Sequence, residues 1–256
     1  SSSGLNSSAY YYYDKDTDTW TQYAQGFDST QWADVASWHG GASNYDPTTG
    51  YIWIAAQATD LSTRYAIFVV DSGDVTGSGN RGTIIRRFKA YLPWGYHLGE
   101  ILYDKNPKLW IITHGSTGIG GPYLQAIDIT TLASDGSTLT PIDLTFSPPL
   151  LGPSGGAERG GMVYHPTSSA LFLWDGSGTR SSLNKLSIPS DLTGGTYVGS
   201  TVAADGSNTV TPGAAQANGT FGRFNLVTFP SGRQAFVIQN AMTQPIYVRK
   251  IPVAGL

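Results

Sequence analysis

The chain contains no cysteine, which excludes disulfides, thiolate metal sites, thiol nucleophiles and CxxC redox chemistry. Charge is scarce as well. Charged residues make up 13% of the chain, about half of the roughly 25% usual in globular proteins. With 15 Lys and Arg against 18 Asp and Glu the formal net charge is −3. No excess of cations exists to neutralise a polyanion, so nucleic acid is not an expected partner. Long apolar runs are missing too. No stretch approaches the roughly 20 residues that a spanning helix needs, and membrane insertion is not expected. The opening Ser1-Ser2-Ser3-Gly4 has neither the basic nor the apolar region of a signal peptide. A signal already removed would leave the same start.

What the chain has instead is glycine, proline and aromatic residues: 32 Gly and 14 Pro, with 7 Trp, 15 Tyr and 9 Phe. This much Gly and Pro punctuates the sequence too often for long helices. Between the breaks lie short apolar runs rich in β-branched and aromatic residues. Examples are Tyr51-Ile52-Trp53-Ile54, Tyr65-Ala66-Ile67-Phe68-Val69-Val70, Leu109-Trp110-Ile111-Ile112, Leu171-Phe172-Leu173-Trp174 and Ala235-Phe236-Val237-Ile238. Such runs predict strands, and the chain is expected to be all-β. Low charge with abundant Gly, Ser, Thr, Tyr and Trp is common in exported and virion surface proteins. The expected location is therefore extracellular, on a cell surface or a virion.

An internal repeat organises the sequence. Trp38–Gln57, Tyr96–Gly115, Ala157–Gly176 and Gly222–Asn240 share a Gly-containing entry, an apolar strand, a turn and a second apolar strand. The aromatic before each turn (Tyr45, Tyr103, Tyr164, Phe229) marks a spacing of about 60 residues. In Asp46-Pro47-Thr48-Thr49-Gly50 and His165-Pro166-Thr167, proline stands early, where its fixed φ suits a tight hairpin. The first three hairpins are each followed by a further pair: Tyr65–Asp71 with Ile84–Ala90, Tyr123–Thr130 with Pro141–Phe146, and Leu183–Pro189 with Thr196–Ala203. One unit is thus four antiparallel strands, the size of a propeller blade. Extra strands are expected at Ala9–Asp14, Trp20–Ala24 and Ile246–Pro252. Either the termini complete a shared blade, giving four or five blades in a single domain over 1–256, or the chain is the C-terminal part of a larger propeller.

Tyr13-Asp14-Lys15-Asp16-Thr17-Asp18-Thr19-Trp20 resembles the kelch signature in which an acidic turn precedes Trp. Together with the strand–turn–strand units and the closing Gly219-Thr220-Phe221-Gly222-Arg223-Phe224, it is similar to galactose-oxidase/kelch-like propellers of bacteria and phages. The resemblance implies a fold more than a function. The copper chemistry of galactose-oxidase relatives uses a Tyr–Cys crosslink, and without Cys that activity is excluded.

Antiparallel pairing puts the start of a unit's first strand beside the end of its second. In a propeller the first strand lies nearest the axis, so both positions are expected to line one face around the channel. Six residues before each aromatic anchor stand His39, His97, Glu158 and Arg223; the second-strand ends are Gln57, His114, Asp175 and Asn240. Trp38, Trp94 and Tyr96 would add apolar faces, and Arg159 or Arg180 a further cation. Aromatic faces with convergent polar groups suit a sugar. The expected partner is a glycan or cell-surface receptor, with other subunits of an assembly as a further possibility, and the expected role is non-enzymatic recognition or adhesion. The alternatives are a polysaccharide lyase or glycoside hydrolase, using His39, His97 or Glu158 as acid or base with Arg223 on a uronate, and a structural appendage subunit.

Other motifs are weaker. Asp14-x-Asp16-x-Asp18 has alternating carboxylates but lacks the Gly and Glu of an EF-hand loop. His97 and His114 lack close zinc-ligand spacing. Gly118-Ile119-Gly120-Gly121 has no following helix to hold a pyrophosphate. No metal and no cofactor is expected. Arg86-Arg87-Phe88-Lys89 is expected along a solvated blade edge. Asn6-Ser7-Ser8 and Asn218-Gly219-Thr220 match the glycosylation acceptor pattern.

Overall fold

A computed structural model describes residues 10–14, 17–23, 42–55, 65–73, 83–92, 97–114, 123–147, 160–174, 183–202, 224–239 and 243–251. The chain is all-β, with the fold class of a four-bladed β-propeller built from small antiparallel sheets. It divides into two compact units, residues 1–94 with 132–140, and residues 95–131 with 141–256. No helix among the described residues is long and apolar enough to cross a membrane.

The first unit opens with a hairpin of β1 (Tyr10–Asp14) and β2 (Thr19–Tyr23), whose turn carries Asp18 at a positive φ. Its blade is the sheet of β3 (Ser43–Asp46), β4 (Tyr51–Ala55), β5 (Ile67–Asp71) and β6 (Ile84–Phe88), in that order. Alternation sorts the side chains: Ile52, Ile54, Phe68 and Val70 pack together on one face, while Trp53 stacks on Phe88 at 6.0 Å on the other. Every residue of β5 is buried, which is why it reads as a continuous apolar run and not as an alternating one.

The outer edge of β6 keeps Arg86, Arg87 and Lys89 partly exposed, but its backbone near Arg87 and Lys89 has a further partner. The stretch Ser134–Leu139 lies along it, with a parallel bridge between Lys89 and Thr138. The Gly136 and Leu139 amides donate to the Arg87 and Lys89 carbonyls, both at 2.8 Å. Arg87 pairs with Asp135 at 2.7 Å, and its guanidinium lies 5.2 Å from the Tyr65 ring.

The second unit holds three sheets. The first orders β7 (His97–Leu102), β8 (Leu109–His114), β9 (Tyr123–Asp128) and β10 (Ile142–Asp143). The stretch expected as one outer strand, Pro141–Phe146, is divided. After β10 the chain crosses over, and β11 (Thr145–Ser147) adds to the next sheet, parallel to its last strand. That sheet comprises β12 (Gly161–His165), β13 (Ala170–Trp174), β14 (Leu183–Ser187) and β15 (Thr196–Val202). The last has three strands, β16 (Phe224–Thr228), β17 (Gln234–Ile238) and β18 (Tyr247–Lys250).

The sheet from β12 to β15 is covered on both faces. Met162, Tyr164, Leu171 and Leu173 pack with Leu98, Leu102, Leu109 and Ile111 of the β7–β10 sheet. On its other face Val163, Phe172 and Trp174 meet Phe224, Phe236 and Ile238. Phe172 and Phe224 lie 4.8 and 5.6 Å from Phe236. Burying each such side chain is worth about 1.5–3 kcal/mol, which makes these seams the main cohesion of the unit.

Candidate functional site

The best-defined candidate position is the open end of the β7–β8 hairpin. The register opposes His97, the first residue of β7, to His114, the last of β8. This pairing brings together two of the eight polar residues expected to converge. The other expected site residues, Trp38, His39, Gln57, Trp94, Tyr96, Glu158, Arg159, Asp175, Arg180, Arg223 and Asn240, lie outside the described residues. Arg223 immediately precedes β16 in sequence, and Asp175 and Asn240 fall one and two residues after β13 and β17.

The aromatic anchors behave less uniformly than the repeat predicts. Tyr45 and Tyr164 are penultimate in β3 and β12, whereas Tyr103 and Phe229 follow the last residues of β7 and β16.

At the turn end, polar bonds stitch the sheets of the second unit together. The buried Tyr164 hydroxyl donates to Asp104 at 2.6 Å, and the Tyr103 and Tyr164 rings meet edge to face at 5.7 Å. Burial and the Asp104 carboxylate push the Tyr164 hydroxyl well above the usual tyrosine range. His165 is buried with both ring nitrogens engaged. Its Nδ1 accepts from the Ser168 amide at 3.2 Å, so in the neutral ring the proton sits on Nε2, which donates to Gln234 Oε1 at 2.9 Å. Both ring positions being used, His165 ties β12 to β17 and leaves no ring nitrogen for a ligand.

One titratable group escaped the repeat alignment. Glu100 stands in mid-β7, paired with Ile111, at the alternation position between Leu98 and Leu102. It is half-buried, and desolvation pushes its carboxyl up to about 8, with the Ile101 amide partly opposing. A carboxylic acid that keeps its proton at neutral pH is a donor, not an anion. The available signal was a lone acid at an apolar alternation position in His97-Leu98-Gly99-Glu100-Ile101-Leu102. Among the described residues no group of three His, Asp or Glu could hold a metal ion.

No protein-family model and no curated protein matches the chain. Among solved structures, it is similar to a putative 6-phosphogluconolactonase from Bacteroides uniformis. The sequences are 10% identical, with a TM-score of 0.38, over 96% of this chain and 64% of that one. The chain therefore spans less than two thirds of that protein's length. The propeller fold stands on the sheets themselves; a kelch or galactose-oxidase family is not supported by a match.

Proposed function

We propose that the chain is a non-enzymatic recognition module of a virion or secreted surface, binding a glycan on the side of the second unit where β7, β12 and β16 begin. The observation carrying this reading is the opposition of His97 and His114 at one hairpin end. Histidine is a residue type that offers hydrogen-bond donors and acceptors to sugar hydroxyls, and the register sets two of them at opposed positions. Glu158 and Arg223, shortly before β12 and β16 in sequence, and Asp175 and Asn240, shortly after β13 and β17, are residue types that would extend such a surface.

A glycan array followed by calorimetry on the hit tests it. The double variant His97→Ala/Arg223→Ala is expected to lose at least tenfold in affinity while its melting temperature stays within a few degrees of the parent. Unchanged affinity overturns the proposal.

A second reading, a polysaccharide lyase or glycoside hydrolase, draws on Glu100, because a protonated carboxyl near neutrality is what a general acid requires. Its position counts against that role: Glu100 sits mid-strand among Leu98, Leu102 and Ile111, away from the hairpin end. Reducing ends or unsaturated uronates released from polysaccharide, and lost in Glu100→Gln, would reverse the preference.

A further inference from the structure

Glu100 occupies an unusual place whatever the ligand. It shares its sheet face with Leu98, Leu102, Leu109 and Ile111, the residues that pack against Met162 and Tyr164 of β12. Within the second unit this is the seam between two sheets, and β7 is the strand that meets β12. On the same face, Thr113 is fully buried and its hydroxyl has no hydrogen-bond partner among the described residues. Thr113 opposes Leu98, one diagonal step from Glu100, a separation that a long side chain can bridge.

Among the described residues, none of those named next compensates a negative charge on Glu100. On β7 and its turn stand Tyr103, Asp104 and Lys105, the last 3.8 Å from the Asp104 carboxylate. Burial pushes the Tyr103 hydroxyl upward, with smaller contributions from Asp104 and then Glu100. From β12 comes Tyr164, whose hydroxyl is given to Asp104; His165 lies on the opposite face, against Phe172. From β8 comes Thr113, with Lys108 in the turn, and from β9 comes Asp128 at the sheet's far end. The buried polar residue of β14 in this sheet, Asn184, is uncharged.

We infer that Glu100 is a proton-operated latch: neutral, it lies within the seam between β7 and β12, and ionised, it loosens that seam. Ionisation would place a charge among apolar side chains, and the molecule relieves it either by admitting water or by parting the strands. Desolvation, the largest influence on this carboxyl, acts in the same direction.

The test uses the full chain. Carboxyl-carbon NMR of the labelled protein should show one glutamate titrating near pH 8, the signal that disappears in Glu100→Gln. Between pH 5 and 8 the folding equilibrium constant of the parent should fall by up to tenfold per pH unit relative to Glu100→Gln. Over the same range, hydrogen exchange, corrected for its intrinsic pH dependence, should quicken in β7 and β12 but not in β16 and β17. A Glu100 carboxyl titrating near 4.5, or exchange in β7 and β12 independent of pH, would overturn the latch. Should Glu100→Gln fail to fold, the NMR and exchange measurements on the parent still decide the matter.

Discussion

At the scale of single residues, corresponding turns use different atoms for one task. Asp46 and His165 both close a hairpin whose second strand begins five residues later. The Asp46 carboxylate accepts from the Thr48 amide at 3.0 Å and from the Thr48 and Thr49 hydroxyls; His165 accepts from the Ser168 amide through Nδ1. The residue before the second strand has a positive φ in both turns, Gly50 at 73° and Ser169 at 45°. A side chain there is strained, and glycine is not. Ser169→Gly should therefore raise stability by about 0.5 kcal/mol, the relief of strain being partly offset by the extra freedom of the unfolded glycine. Urea denaturation at constant m-value measures it. A loss of stability would mean that Ser169 contributes more through its side chain than its backbone costs.

At the scale of elements, the strand pairs were legible because each buried strand carries its own signature. The fully buried β5, β12 and β13 are continuous apolar runs, while the half-exposed β15 mixes apolar and polar residues. What was not legible was the edge to which a short segment would pair. Thr145-Phe146-Ser147 alternates as any strand does, and nothing in it distinguishes continuing β10 from crossing to β15. The same holds for Ser134–Leu139 on β6, a stretch of polar and small residues that reads as loop. Of the expected site residues, the relation legible in the sequence is the register opposition of His97 and His114, which follows from hairpin spacing alone. Glu100 was hidden because the repeat directs attention to strand ends. Sheet-to-sheet packing also hides the role of Gly161, whose added Cβ would overlap Phe224. Gly161→Ala should cost about 1–3 kcal/mol, since the β12–β16 seam must part or Phe224 must leave its rotamer. Thermal unfolding checks this, and the additional change Phe224→Leu should recover part of the loss.

At the scale of the whole molecule, low charge leaves few groups to shape the response to pH, and those with resolved shifts act in opposite directions. The Glu100 carboxyl is raised from 4.5 to about 8, so the folded chain holds its proton more tightly than the unfolded chain does. The stability this carries is complete below pH 4.5 and is lost as pH rises through 8. Asp135 is lowered from 3.8, chiefly by its hydrogen bond to Arg87, and Asp191 is lowered by the Gly194 and Thr193 amides. Their contribution is present above pH 3.8 and is lost as pH falls below it. Both aspartates are exposed, so solvent screening keeps the acid limb shallow. Calorimetry across pH 2.5–9 should therefore find the melting temperature highest near pH 4–5. The decline toward pH 8 should be steeper than the decline toward pH 2.5. Raising sodium chloride to about 0.5 M should flatten the part of the acid limb that comes from the exposed Arg87–Asp135 pair. The limb toward pH 8 should persist, because it arises from desolvation within a packed seam. A stability maximum at neutral pH would contradict this assignment of the two limbs.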